Sequence, residues 1–457
     1  MLLPRLAWVL ALGAVLLAGC GSSRQPARAQ IEPTATATPA PWSPPIALGH
    51  PSTQGFSSYY DLTRNGDALR VTSFDGGFGG PPAAISVDRI SGLRRLSHVA
   101  LAGLILDTEG PAGGGGVDLL AHRGHGARTT LELLHASPAG RVATRWAVIS
   151  GPVRSTALVG RSAVWIGGDK HIHLARDGRA PLTGDRIVDR DAYLEDLVVE
   201  RDARGRMLVV TTEGLTGSAG RLVITLISPR GQVLSRQRFG RIDGLISTAG
   251  TAAGRVAIAV EDIGQNVYDH ECDSEGDRQV WVLLRGAGEA RFGAPRRLAR
   301  LPYNCESEGA RLLSGPGDRF RVVFDSAHDS GQPPSQIRAS TAAPRSGFGP
   351  VTTLAADYLL RAGATVTQDG GLVVGAQRAV SIDAPAAPRG YRANPFAAPT
   401  PPPPPPIVTL RSHGDGPLGE EHALESRPAS FDLVQRAGTD IAVIWTSDRS
   451  YVSFTPR

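Results

Sequence analysis

The stretch GRVAIAV, residues 254–260, places a short apolar run just after a glycine. A glycine suits the tight turn of a β-hairpin, because it adopts a positive φ without a steric penalty. The stretch therefore predicts a hairpin turn followed by a short apolar strand.

The same pattern of a glycine turn and an apolar strand recurs along the chain. The eight glycines that precede such a strand are Gly66, Gly116, Gly160, Gly205, Gly254, Gly317, Gly370 and Gly438. Successive members are 50, 44, 45, 49, 63, 53 and 68 residues apart. A recurrence of this kind is the mark of a repeat architecture.

Each repeat contains further short strands in a constant order. A polar-alternating strand precedes the turn, as in ATVTQDG (364–370), and a third strand follows, as in RQVWVLL (278–284). A fourth strand comes after a Phe-Gly or Leu-Gly pair, which begins at Phe292, Phe348 or Leu418. Four such strands per unit, rich in Val, Ile and Thr, are typical of an all-β protein of the β-propeller class. A β-sandwich is the alternative for regular short strands, but near-equal units favour the propeller.

Counting the repeats predicts eight four-stranded blades. Seven blades are the alternative if the units at Gly116 or Gly160 merge with a neighbour. The last unit, residues 431–457, supplies only three strands, so closing the ring needs a strand from elsewhere. PIALGH (45–50) is the candidate, because pairing there would cover an exposed sheet edge. The propeller is thus expected over 51–457, with insertions near 263–278 and 380–406, the second of which contains a polyproline run.

The N-terminal residues have the features of an export signal. An apolar run at 6–17 follows Arg5 and leads into Leu17-Ala18-Gly19-Cys20. This segment resembles the signal of bacterial lipoproteins, in which the cysteine receives a lipid and the peptide before it is removed. The resemblance implies a signal peptide at 1–19 and a lipidated Cys20, with the alternative of an ordinary signal peptide and an accidental cysteine. It implies a cell-membrane location, lipid-anchored, facing the extracytoplasmic side.

Residues 20–50 read as a disordered tether rich in Pro, Thr and Ala, since such a stretch buries too little apolar surface to fold. After it, residues 278–299 and 335–355 resemble the repeat of propeller-like exported proteins from GC-rich actinobacteria. That resemblance implies the fold and no activity.

The insertion at 263–278 concentrates reactive residue types. It contains Cys272, and Cys305 follows the fourth strand of the same unit, so we expect a disulfide between them in an oxidising compartment. The oxygen-rich set around Cys272 forms a candidate calcium site, made of Asp269, Asp273, Glu275 and Asp277. The alternative is a solvated acidic loop that the disulfide holds. No cofactor other than this calcium is implied.

The histidines give weaker indications of a metal site. His171 and His173 are two apart on a predicted strand and share a face, but no third ligand is identifiable. His122 and His125 are interpreted as turn residues. Trp165 and Trp445 fall in equivalent second strands, where packing between blades accounts for them.

The sequence favours a binding function over a catalytic one, but it does not indicate which ligand is bound. It contains no G-x-S-x-G, H-E-x-x-H, P-loop or dinucleotide motif. The net charge is +5, but basic residues are scattered among acidic ones, which argues against nucleic-acid binding. We therefore expect a membrane-anchored propeller that binds or scaffolds an envelope protein or glycan. The alternative is an extracellular polysaccharide hydrolase or lyase, whose paired carboxylates would lie 5 to 9.5 Å apart in the central funnel.

Overall fold

A computed structural model describes most of the chain from Trp42 onwards. Pro41–Arg457 form one compact unit. The described residues are 42–48, 56–74, 82–112, 114–124, 126–159, 162–176, 181–189, 192–202, 205–215, 218–242, 244–262, 278–301, 309–326, 335–378, 407–425, 430–437, 440–446 and 449–456.

The eight apolar segments predicted from the glycine turns all form the second strand of a four-stranded antiparallel sheet. These strands are β3 (Asp67–Phe74), β7 (Val117–Arg123), β11 (Ser162–Gly167), β15 (Met207–Leu215), β19 (Val256–Asp262), β23 (Arg319–Asp325), β27 (Leu372–Arg378) and β31 (Asp440–Thr446). The six turn glycines that lie in the described ranges have positive φ, as the prediction requires: Gly66, Gly116, Gly205, Gly254, Gly317 and Gly370. The prediction of a β-propeller with eight four-stranded blades is confirmed.

Blades 1 to 7 each take four consecutive strands, with strand order equal to chain order. The first, innermost strands of these blades are β2 (Phe56–Tyr60), β6 (Ile105–Pro111), β10 (Val153–Val159), β14 (Ala192–Arg201), β18 (Leu245–Gly250), β22 (Arg311–Gly315) and β26 (Tyr358–Val366). The third strands are β4 (Ala84–Ser91), β8 (Thr130–Ala136), β12 (His171–Arg176), β16 (Ser218–Ile227), β20 (Arg278–Arg285), β24 (Gln336–Ala342) and β28 (Ile407–Arg411). The fourth, outer strands are β5 (Arg94–Ala102), β9 (Val142–Ile149), β13 (Leu182–Arg186), β17 (Val233–Gly240), β21 (Arg296–Leu301), β25 (Thr352–Ala356) and β29 (Glu420–Glu425).

Blade 8 joins the two ends of the described chain. Its sheet has the order β1-β32-β31-β30, in which β1 is Ile46–Ala47, β30 is Ser430–Ala437 and β32 is Ser450–Pro456. The predicted closing strand within PIALGH is therefore confirmed. The propeller begins no later than Ile46, earlier than the predicted boundary at residue 51, because β1 belongs to the last sheet. Residues 20–41 of the predicted tether lie outside the described residues.

Each pair of neighbouring blades shares one apolar cluster. In blades 4 and 5, for example, Val210 and Ile224 pack with Ile258 and Leu283. Blades 8 and 1 share such a cluster as well, so apolar packing continues across the closure. The second strands are buried on both faces because each is covered by the blade before it and the blade after it.

The two ends of the ring differ in how strands connect. At one end, which we name the turn face, short turns join the first strand of each blade to the second, as at Asp202 and Thr251. At the other end, which we name the loop face, the second strand leads to the third and the fourth leads to the next blade. Both predicted insertions, within 263–277 and 379–406, lie outside the described residues. Their flanking strand ends, Asp262, Arg278 and Arg378, belong to the loop face.

Helix is nearly absent from the described ranges, where the 3-10 turn Gly126–Arg128 is the only helical element. In that part of the chain, no helix has the length and apolar character needed to cross a membrane.

Candidate functional site

The innermost strands of four adjacent blades line an open cavity of about 530 Å³ at the turn face. Blades 4, 5, 6 and 7 contribute the last residues of β14, β18, β22 and β26. The described residues of the lining are Glu200, Arg201, Thr248, Ala249, Gly250, Thr251, Leu312, Leu313, Ser314, Thr365 and Val366. A cavity of this volume is in the range of small-molecule and peptide-side-chain sites.

Small residues make up most of the wall. Thr248, Thr251, Ser314 and Thr365 supply hydroxyl groups, while Leu312, Leu313 and Val366 supply an apolar surface. Gly250 leaves part of the backbone uncovered, because it carries no side chain. None of the described lining residues is aromatic. The wall therefore offers hydrogen bonds and apolar contact together.

Glu200 is the one carboxylate among the described residues of the lining. The hydroxyl of Thr248 in the next blade donates to its Oε1 at 2.9 Å. Burial raises the pKa of Glu200, and the Thr248 hydrogen bond opposes the shift. Because the charged form is poorly solvated, a ligand that supplies a compensating charge would gain from contact with this group.

The strands that carry the lining are held in register by hydrogen bonds between blades. Asp196 of blade 4 accepts from the Ile246 amide of blade 5 at 3.1 Å. Ser247 of blade 5 accepts from the Leu312 amide of blade 6 at 3.0 Å. Leu312 itself lines the cavity and Ser247 adjoins the lining residue Thr248, so these contacts fix the backbone that forms the wall.

Arg201 is the other charged residue of the lining, but its guanidinium is directed elsewhere. Its Nη2 donates at 2.9 Å to the hydroxyl of Ser162, which belongs to blade 3. No described residue of blade 3 lines the cavity. The charge that faces the remaining walls is therefore the carboxylate of Glu200.

Buried ion pairs support the loop face. Arg278, with no exposed side-chain surface, donates to Glu261 at 2.6 Å and to Asp325 of blade 6 at 3.1 Å. Burial raises the pKa of Asp325 against the opposing charge of Arg278. This triad links blade 5 to blade 6 at the strand ends from which the 263–277 segment departs.

A second charged cluster links blades 3 and 4 at the same face. Arg221 contacts both Glu213 and Asp189, and Arg236 lies 3.4 Å from Glu213. Burial favours a higher pKa for Asp189, but the charges of Arg221, Arg236 and Arg238 outweigh it and hold the pKa below its usual range. The cluster is internally paired, which fits a role in joining blades.

Two carboxyl groups on the innermost strand of blade 2 are also engaged internally. Asp107 lies 2.8 Å from Nδ1 of His122, and Glu109 accepts hydrogen bonds from Ser58 and Tyr60 of blade 1. Burial raises the pKa of both carboxyls, as it does that of Tyr60. Glu109 thus joins blade 2 to blade 1, whereas Asp107 and His122 both belong to blade 2, and neither carboxyl group lines the cavity.

The two histidines of the predicted pair, His171 and His173, contact different partners. Nδ1 of His171 lies 2.9 Å from the Gly184 carbonyl oxygen, whereas His173 stacks on Trp165 with ring centroids 5.1 Å apart. The interpretation of His122 as a turn residue is wrong: it lies in β7, where the strand extends far enough to pair it with Ile105. His125 is outside the described residues.

The other predicted site residues cannot be placed, since Cys20, Cys272, Cys305, Asp269, Asp273, Glu275 and Asp277 lie outside the described residues. Within the described ranges, no group of three His, Cys, Asp or Glu side chains is arranged to hold a metal. The lipidation, the Cys272–Cys305 disulfide and the calcium site stay predictions. Register does bring Asp262, Arg278 and Leu301 to one end of the blade 5 sheet, so the two cysteine-bearing segments start from the same face.

Sequence reasoning missed the cavity residues. Glu200 and Thr365 occupy equivalent positions near the ends of first strands, where blade 5 has Ala249. A signal did exist, because aligning the first strands of blades 4, 5 and 7 would have shown a carboxylate at a position that blades 5 and 7 fill with small residues. Trp165 and Trp445, by contrast, are buried in clusters between blades, as predicted.

Comparison with known proteins finds similar solved structures, all at low sequence identity. No protein-family model matches the chain, and no curated protein matches its sequence. Among solved structures, BamB from Moraxella catarrhalis is 11% identical with a TM-score of 0.43, and the match covers 88% of this chain and 99% of that one. The computationally designed Ika8 protein is 11% identical with a TM-score of 0.45, over 90% and 99% of the two chains. A puromycin-hydrolyzing peptidase from Mycobacterium tuberculosis is 13% identical with a TM-score of 0.42, over 76% of this chain and 53% of that one.

The eight sheets themselves define the class of protein. The chain is an eight-bladed β-propeller closed by a strand from its N-terminal side.

Proposed function

We propose that this propeller is a lipid-anchored binding module of the cell envelope, with its partner seated in the cavity at the turn face. The observation that carries the proposal is the chemistry of the lining. A polysaccharide hydrolase of the usual kind needs two carboxyl groups at its reacting centre, whereas Glu200 is the one carboxylate among the described lining residues. Fixed strands, hydroxyl groups and apolar side chains suit binding.

A protein partner is favoured over a glycan. Carbohydrate rings commonly stack on aromatic side chains, and none is found among the described residues of the wall. The hydroxyl groups of Thr248, Ser314 and Thr365 suit the polar groups of a peptide segment, and Leu312 and Leu313 suit its apolar parts.

Filling the cavity tests the binding site. Ser314→Trp places an indole in the wall, and we expect it to abolish capture of the partner from the chain's own envelope extract, because the space for the partner is occupied. Thr144→Trp, on the exposed outer strand β9, is the matched control and should capture the same partner as the unsubstituted chain. Circular dichroism melting confirms that both variants fold. Equal capture by Ser314→Trp and the control would remove the cavity from the proposal.

Membrane anchoring has a separate test, since it depends on Cys20. In a bacterial host fed a labelled fatty acid, the full chain should carry the label and sediment with membranes. Cys20→Ala should lose both properties, because the acceptor thiol is gone. A full-length chain without label would contradict the anchoring part and leave the cavity part standing.

A further inference from the structure

We infer that the cavity at the turn face recognises a basic side chain, the ammonium of a lysine or the guanidinium of an arginine in a partner polypeptide. The inference rests on the proposed function and specifies the chemistry of its ligand.

Glu200 has one carboxylate oxygen left for a ligand. Its Oε1 accepts the Thr248 hydroxyl, and no described residue bonds to Oε2. Glu200 is half-buried and belongs to the cavity lining, so its carboxylate borders that space. A cation that enters the cavity would therefore meet an acceptor already oriented by the neighbouring blade.

The positive charge of Arg201 is directed away from the cavity. Arg201 is tied to Ser162 of blade 3, so its guanidinium does not compete for Glu200. Hydroxyl oxygens of Thr248, Ser314 and Thr365 can accept the remaining hydrogens of an ammonium or guanidinium group.

The apolar part of the wall fits the rest of such a side chain. Lysine and arginine carry three or four methylene groups before their charge, and these pack on apolar surface. Leu312, Leu313 and Val366 provide that surface within the same lining. An acidic side chain would place two carboxylates together in a partly desolvated space, which is unfavourable.

Peptide titration tests the inference with the full chain. The probe is a fluorescein-labelled peptide, acetyl-Gly-Lys-Gly-Lys-Gly amide, and its counterparts carry glutamine or glutamate in place of lysine. We expect the lysine peptide to bind about tenfold more tightly than the glutamine peptide, in line with a charged hydrogen bond. The glutamate peptide should bind most weakly.

Glu200→Gln should remove the preference for lysine while keeping the Thr248 hydrogen bond, because the amide oxygen still accepts. Asp67→Asn removes one carboxylate from blade 1, outside the described lining, and should leave the preference unchanged. With the native chain, affinity for the lysine peptide should rise as pH increases through the pKa of Glu200, which burial raises, because the carboxyl then ionises. The Glu200→Gln chain should lack that dependence.

Equal affinity for the lysine and glutamine peptides, or a preference that survives Glu200→Gln, would overturn the inference. Failure of the inferred ligand chemistry and failure of the proposed binding site give different results. If Ser314→Trp loses the native partner but no basic peptide binds, the cavity stands as the binding site and only its ligand chemistry is wrong. If Ser314→Trp keeps the native partner, both fail.

Discussion

Arg278→Ala is expected to lower the free energy of unfolding by about 3 to 5 kcal/mol, the cost typical of breaking a buried ion pair from one side. Arg278 has no exposed side-chain surface and bridges Glu261 to Asp325. Its removal takes away the cation that bridges two buried carboxyl groups in the seam between blades 5 and 6. Urea titration followed by circular dichroism measures the loss.

Arg297→Ala is the matched control for this prediction. Arg297 lies in β21 of the same blade, is exposed, and stacks over Trp281 at 5.8 Å. Its loss should change stability by less than about 0.5 kcal/mol, as is usual at the surface. Replacing Arg278, Glu261 and Asp325 together with Met, Gln and Asn should recover part of the stability, because no buried charge is then left uncompensated. If Arg278→Ala and Arg297→Ala had the same small effect, the triad would not hold the two blades together.

A chain that begins at residue 51 is expected to be much less stable than one that begins at residue 42. The longer chain keeps β1, whose neighbour Leu48 is fully buried and donates its amide to Ser450 at 2.7 Å. Ser43 donates to Phe454 at 2.8 Å, and Trp42 stacks on His422 with centroids 5.1 Å apart. Loss of Leu48 alone should cost about 2 to 5 kcal/mol, judging from truncations of buried leucines.

The same truncation should also make the protein associate with itself. Without β1, strand β32 presents an unpaired edge, and such edges pair with other chains. Sedimentation velocity should show monomers for the chain from residue 42 and larger species for the chain from residue 51. Leu48→Ala, which keeps the strand but removes apolar packing, should lose stability without self-association. A monomeric, equally stable chain from residue 51 would show that β1 does not close the ring.

The fold was largely predictable from the sequence because its signals are local and repeated. Each glycine turn needs only a positive φ, and each second strand needs only an apolar run, so the pattern appears without knowledge of distant contacts. The closing strand was predictable by a different argument, since a final unit with three strands must be completed. At Gly66, an added Cβ would lie 2.7 Å from Cγ2 of Ile46, which shows how closely that strand approaches the first hairpin.

The candidate site was not predictable in the same way, because it is assembled from four blades. Glu200 and Thr248 are 48 residues apart, and no spacing rule relates them. The densest set of reactive residue types in the sequence is instead the insertion at 263–278, which lies mainly outside the described residues. The cavity is on the opposite face of the ring from the strand ends that flank this stretch.

Photo-crosslinking from inside the cavity tests the central claim most directly. A photoactivatable leucine analogue at Leu313 preserves the lining, and the same analogue at Leu96, which is 48% exposed on the outer strand β5, serves as the reference. In the native envelope, irradiation should join the Leu313 probe to a partner polypeptide, and Ser314→Trp in the same chain should prevent it. Cross-links from Leu96 but not from Leu313 would place binding on the outside of the propeller and contradict the account.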